Sequence, residues 1–578
     1  MSSKDWIVLI LTLSSIIGYG LWKGRTTKNL QGYFLSNKSM PWYLVLLGIM
    51  GTQASAITFL SAPGQAFTDG MRFVQYYFGL PIAMIIIAVS FVPIYKKLHV
   101  FTAYEYLEQR FDVKTRVFTA SLFLLSRGLS TGISIYAPSL ILSSIMGWDI
   151  FWTNIFMGGL LIIYTVSGGA KAVAYTQTVQ MVIIFSAMFI AGWYMVDHLP
   201  EGIGFADALR VSGAAGKVNI ITSGFGENGF EWKDRYNIIS GIIGGLFLAL
   251  SYFGTDQSQV GRYLVAKNIT ESRLGLLMNG LVKVPMQFFI LLLGVLLFAF
   301  YQFNSGPIFF NKTINPDVYQ TAFGDSLKHT EAKFEHAQIK QQAAAAAYVQ
   351  ALKINDQQTN QFKQDLQHAQ SVVQQIRNNY KSILQKADTS IDTNDTNYIF
   401  IRYVVDNLPA GLVGLLIAII FLASWGSIAA ALNALAACTM IDFYCRIKQH
   451  RPHATASDEH QEKQYHLSKW FTLGWGIFCI VVAQFSNKLG SLIEVVNIFG
   501  SLFYGVILGI FLIAFYFKKV NGHAVFWGAL IAEIFVITLF ALDYNGIIGF
   551  GFLWLNVVGA LLVLLLTGFI HFMRAPAK

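Results

Sequence analysis

Five polar side chains, Thr52, Gln53, Ser55, Thr58 and Ser61, interrupt the apolar stretch GIMGTQASAITFLSAPG, which runs from Gly48 to Gly64 and closes on Pro63-Gly64. Hydroxyl and amide oxygens suit a hard cation such as Na⁺, and the same groups can hydrogen-bond a polar solute. At bilayer depth such groups must be satisfied by other helices or by something bound. A second unusual stretch is FLASWGSIAAALNALAACTMIDFY, from Phe421 to Tyr444. Its Ala423, Ser427, Ala430, Ala434 and Ala437 recur at three- and four-residue steps, making a helix face that another helix can approach closely. Ser424 and Ser427 then either contribute oxygens to a cation or simply bond back to the preceding turn.

Ionisable residues inside apolar runs are few. Arg127, in LFLLSRGLSTGISIYAP, lies 11 residues beyond Arg116, which is about 16 Å along a helix and close to mid-membrane. A guanidinium there calls for an anion: a carboxylated solute held bidentately, a protein acid or the end of a broken helix. Asp256, in SYFGTDQSQVGRYL, and Lys283, in GLVKVPMQ, fall on two later neighbouring apolar runs and are expected to pair as a structural or gating ion pair, the alternative being direct contact with substrate. Enzyme signatures are absent. There is no Walker A loop and no His/Cys pattern of metal-ligand spacing. Cys438, Cys445 and Cys479 imply no disulfide framework.

The elements that carry these residues follow from composition. Of 578 residues, 54% are hydrophobic and only 12% charged, so the fold class is an all-α, polytopic membrane protein embedded in a lipid bilayer. Apolar runs predict 13 spans: 5–24, 41–66, 72–95, 117–146, 149–166, 176–197, 236–260, 275–303, 405–440, 468–486, 490–516, 523–542 and 550–573. Lys23, Arg25, Lys28, Lys38, Lys96, Lys97, Arg110, Lys114, Arg116, Lys171, Arg262, Lys267, Arg273, Arg446, Lys448, Arg451, Lys518 and Lys519 all fall on one side of that pattern. By the positive-inside rule that side is cytoplasmic, with the N-terminus outside and the C-terminus inside. The net charge of +10 is thus a matter of topology, not a sign of nucleic-acid binding. Between spans, 304–402 reads as an extracytoplasmic insertion, a helical hairpin breaking near Asn355-Asp356 and standing off the membrane. It is either a lid or a solvated insertion without a part in transport.

The order of a leading extra helix, a polar span ending SAPG, then GGAKAVAYTQTVQ, GTDQSQVGRYLVAKN and LNALAACTMIDFY resembles the sodium:solute symporter family. The resemblance covers the membrane part and leaves out 304–402. It implies ten core helices in two inverted five-helix repeats, the fold of sodium-coupled amino-acid transporters. The organisation expected is 1–40 leading helix and cytoplasmic loop, 41–303 core helices 1–7, 304–402 insertion, 403–516 core helices 8–10 and 517–578 two C-terminal helices.

By the same resemblance, the main Na⁺ ligands fall on Gly51 and Ala54, and on Ala423, Gly426 and Ser427. Gly426 stands where a hydroxyl is usual. Gln177 takes the place of the acid of a second sodium site, with Ala429 and Ala430 at its hydroxyl positions, so one coupling ion is expected. For substrate, ASAITFLSAP and Arg127 look like the sialic-acid branch, and GISIYAPSLIL like the monocarboxylate, vitamin and iodide branch. The galactose-gripping residues of the sugar branch do not recur, Tyr77 and Leu80 standing in two of their places, although Lys283 matches. The reading is a sodium-coupled symporter of the plasma (bacterial inner) membrane, importing a small anionic solute as a monomer or weak oligomer. Ser55, Thr58, Arg127, Gln53 and Tyr252 are its expected substrate contacts. The alternatives are a sodium/monosaccharide symporter, a proton-coupled transporter and a membrane sensor; the last is disfavoured because about five residues follow the final span.

Overall fold

The structure is a computed structural model that describes residues 1–24, 39–98, 100–227, 229–312, 316–389, 391–447, 458–486 and 491–574. The basic positions 25, 28, 38, 448 and 451 lie outside those residues. Where the chain is apolar it is helical, and in lipid a helix satisfies its peptide groups within its own segment.

In chain order the helices are α1 (Ser3–Gly24), α2 (Trp42–Gln53), α3 (Ala56–Asp69), α4 (Met71–Lys97), α5 (Val113–Met146), α6 (Ile150–Asp197), α7 (Ser240–Gly254) and α8 (Gln257–Leu264). They continue with α9 (Ile269–Phe303), α10 (Gly324–Lys353), α11 (Thr359–Ala387), α12 (Leu412–Ile447), α13 (Asp458–Gln484), α14 (Leu492–Tyr516), α15 (Gly522–Tyr544) and α16 (Leu553–Met573). Among the described residues, nine helices are long and apolar enough to cross a membrane, or ten with α2 and α3 taken as one broken span. The apolar stretches Ile150–Val166 and Ser240–Gly254, together with α1, fall where the remaining spans are expected, but 149–166 and 176–197, expected as two spans, run together in the single 48-residue α6.

Local chemistry sets the helix ends. Asp112, Asn268 and Asn521 cap α5, α9 and α15, accepting the N–H of Thr115, Glu271 and Ala524 at 2.7, 2.9 and 3.0 Å. Gly147, at φ 67°, ends α5 in the left-handed conformation that costs glycine nothing. Two breaks interrupt the helices. The axis turns by 61° between α2 and α3, where Ala54 and Ser55 are extended. The second lies between α7 and α8, where Asp256 is extended and caps α8.

The 304–402 segment is indeed a helical hairpin, turning at Asn355, the one non-glycine residue with positive φ among those described (49°). It packs on the end of α9. Gln341 and Gln370 both donate to Gln302 Oε1, at 2.6 and 3.0 Å. At its far end, Asp395 accepts from Arg377, Lys381 and the Phe310 N–H at 2.8, 2.5 and 2.9 Å. Burial by itself would raise this carboxyl, but the two cations and the N–H hold it below the usual range. The next residues reach the broken helix: Asn397 accepts from Ser61 Oγ at 2.7 Å, and a Cβ at Gly64 would lie 2.0 Å from the Thr396 carbonyl oxygen.

At the opposite end of the bundle, Arg116 of α5 contacts Asp442 of α12 at 2.6 Å and Glu108 at 2.8 Å. Glu108 also pairs with Arg446 at 2.8 Å. Glu105 accepts the N–H groups of Phe101 and Thr102, both at 3.1 Å. Its burial, then the nearby Asp442, push its carboxyl up to about 7.

Candidate functional site

A helix that stops leaves its last carbonyls without partners. At the end of α2 the Met50 carbonyl still takes the Ala54 N–H, after which the chain turns. The break faces α6 and α12, on which α2 packs. Here stand the sodium-site residues expected from the resemblance. Ser427 Oγ donates to the Ser424 carbonyl at 3.0 Å, which leaves its lone pairs available. Gly426 has a steric reason: a Cβ there would lie 2.9 Å from Gln180 Oε1 and 3.1 Å from Gln177 Cγ. The space of the usual hydroxyl is thus taken by side chains from α6. Gln177 Nε2 donates to the Gly426 carbonyl at 3.0 Å, while its buried Oε1 has no hydrogen-bond partner. Gly51 is equally constrained, since its Cβ would lie 3.0 Å from Gln177 Cβ and Cγ. Among the described residues no three His, Cys, Asp or Glu cluster as a metal site. An oxygen-lined alkali-cation site made of carbonyls and a hydroxyl needs none.

Beside the break lies a cavity of about 90 Å³. All five side chains expected to meet substrate line it: Gln53, Ser55, Thr58, Arg127 and Tyr252. The fold thus gathers residues from α2, α3, α5 and α7. Sequence reading missed Tyr76, Ser130, Asn497 and Tyr504, which also line it. Tyr76 donates to Asn497 Oδ1 at 3.1 Å. Tyrosines and a lone asparagine at helical spacing carry no signal that separates a lining residue from a packed one, whereas Ser130 sits one turn past Arg127 and was legible in principle.

The expected Asp256–Lys283 pair does not form. Asp256 instead binds Arg127, Oδ2 to Nη2, at 2.7 Å. Asp256 caps α8 at a joint facing α5, so the guanidinium is the cation it meets. Lys283 is buried on α9 with no hydrogen-bond partner for its ammonium, 5.7 Å from the ring centre of Tyr77. Arg127 lies 5.2 Å from the ring centre of Tyr252, a cation–π distance.

A many-helix bundle with polar residues at helix breaks is the arrangement in which secondary transporters typically build their sites. The sodium:solute symporter family matches residues 33–321 and 381–532, and the chain belongs to that family. The gap in the match falls within the hairpin insertion. Among curated relatives, the sodium/sialic acid symporter NanT of Aliivibrio fischeri is 24% identical over 99% of this chain and 93% of that protein. The sodium/sialic acid symporter SiaT of Proteus mirabilis is 24% identical over 99% of this chain and 96% of its own. A solved structure of a Na⁺-coupled sialic acid symporter in a substrate-bound outward-open state superposes with a TM-score of 0.73 at 21% identity, covering 100% of this chain and 99% of that one. The chain is accordingly a sodium-coupled symporter of the plasma (bacterial inner) membrane, and not an enzyme.

Proposed function

We propose that this symporter imports a carboxylated sugar of the sialic-acid type, coupled to one Na⁺. The observation that carries the reading is the convergence of Gln53, Ser55, Thr58, Arg127 and Tyr252 on one cavity, which sets hydroxyls and an amide for a sugar beside a guanidinium for its carboxylate. Gly51 and Ala54 carbonyls and the Ala423, Gly426 and Ser427 positions hold the ion between α2 and α12. Sodium there stabilises the substrate-competent state, and differential affinity for the outward and inward states couples the two fluxes. In this reading 13 helices cross the bilayer, with the N-terminus outside and the C-terminus inside. Residues 41–516 form the ten-helix core of two inverted repeats, and 304–402 faces outward over it.

Uptake of labelled sialic acid into proteoliposomes tests the proposal. A sodium gradient should drive accumulation, and unlabelled carboxylated sugars should compete. Uptake driven by a pH gradient and indifferent to sodium refutes the coupling, and competition by neutral monosaccharides but not by acids refutes the substrate class.

A further inference from the structure

The guanidinium assigned to the substrate carboxylate already holds a carboxylate. Asp256 Oδ2 accepts from Arg127 Nη2 at 2.7 Å and from Tyr504 O–H at 2.9 Å. Its other oxygen, Oδ1, accepts from the Ser258 N–H at 2.8 Å and Ser258 Oγ at 2.6 Å. The two oxygens thus do different work: Oδ1 caps α8, while Oδ2 crosses to α5. Arg127 is not saturated, because its buried Nε has no hydrogen-bond partner, and neither has the buried Ser130 Oγ one turn along α5. Both residues line the cavity. At about 90 Å³ that cavity is smaller than the roughly 300 Å³ or more usual for a ligand of sugar-acid size, so binding must move something that borders it.

We propose that Asp256 is an internal carboxylate occupying Arg127 in place of the substrate's, and that a carboxylated solute binds by displacing Oδ2 from the guanidinium. The solute's two oxygens then take the Arg127 fork, Nε included, with Ser130 beside it. Displacement removes one of the two bonds that tie the α7–α8 joint to Arg127 of α5, leaving only Nη2 to Ser258 Oγ at 2.6 Å, and so loosens the joint. On release Asp256 reclaims Arg127 and expels the solute. Asp256 is a positioning and specificity residue: a neutral solute cannot exchange with it, because the guanidinium would give up an ion pair and gain none.

The inference rests on the carboxylated-sugar reading, and wild-type and variant protein test the two separately. Calorimetric titration in detergent with Na⁺ measures sialic acid and its neutral methyl ester against wild type and Asp256→Asn. The dissociation constant for the acid is expected to fall at least tenfold in the variant and that for the ester to change less than twofold. In proteoliposomes KM for the acid should fall while turnover falls at least tenfold, because nothing reclaims Arg127. Equal shifts for acid and ester, or weaker binding of the acid, overturn the role of Asp256 and leave the transport reading standing. A wild type that binds no sialic acid overturns the substrate reading and this inference with it. If Asp256→Asn fails to fold, hydrogen exchange in the wild type decides: residues 251–259 should exchange faster with sialic acid plus Na⁺ than with Na⁺ alone, and unchanged or slower exchange refutes displacement.

Discussion

Replacing Ser427 by Ala isolates the one side-chain oxygen in the proposed sodium site. Its hydroxyl proton is already given to the Ser424 carbonyl at 3.0 Å, so binding a cation uses lone pairs and sacrifices no hydrogen bond. Losing an interaction with a charged group of this kind costs about 1.5–3 kcal/mol, which is roughly a 10- to 150-fold rise in the sodium concentration giving half-maximal uptake. Without sodium the variant should unfold close to the wild type, because a hydroxyl bonded back within its own helix contributes little. The difference therefore grows with sodium, as linkage requires: a protein at 100 times its dissociation constant gains about 2.7 kcal/mol, most of which a 100-fold weaker site forfeits. Two assays read this, uptake against sodium at fixed solute and thermal unfolding against sodium without solute. An unchanged sodium dependence in both refutes the placement of the ion at Ser427. A loss of stability that is the same with and without sodium shows instead that the hydroxyl serves only packing.

Glu105→Gln probes the cluster around Arg116. Burial and then Asp442 raise the Glu105 carboxyl to about 7 from its ordinary 4.5, so the folded protein favours the protonated form. Its contribution to stability is complete below about 4.5 and is lost as pH rises through 7. The variant's unfolding temperature should therefore gain on the wild type between pH 5.5 and 8, and a constant difference would show that Glu105 does not titrate there. Gly64→Ala tests the seating of the insertion on the broken helix. Its new Cβ would lie 2.0 Å from the backbone oxygen of Thr396, which must yield at about 1–3 kcal/mol. Thermal unfolding should show that loss, and disulfide crosslinking of a Ser61→Cys, Asn397→Cys pair should drop once Gly64→Ala is added.

The apolar runs, the polar interruption at 48–64 and the small-residue face at 421–444 were legible because lipid imposes simple rules. A span must be apolar and about 20 residues long, so Thr52, Ser55 and Thr58 stand out as exceptions on composition alone. The helical hairpin was legible too, from helix propensity broken at Asn355-Asp356. Its attachment was not: Asn397 meets Ser61 across 336 residues of sequence, and nothing local marks either as a partner.

The same limit applied to the charges. Which residues are too polar for lipid, and therefore need a partner, can be read along the chain, since that is a property of each side chain and its depth. Which partner each receives depends on how the helices pack. Asp256 answers Arg127, 129 residues away, and Lys283 is left without a hydrogen bond. Equal-looking acids and bases are told apart by which helix faces meet, and the break that turns Asp256 toward α5 exists only once α7 and α8 are packed.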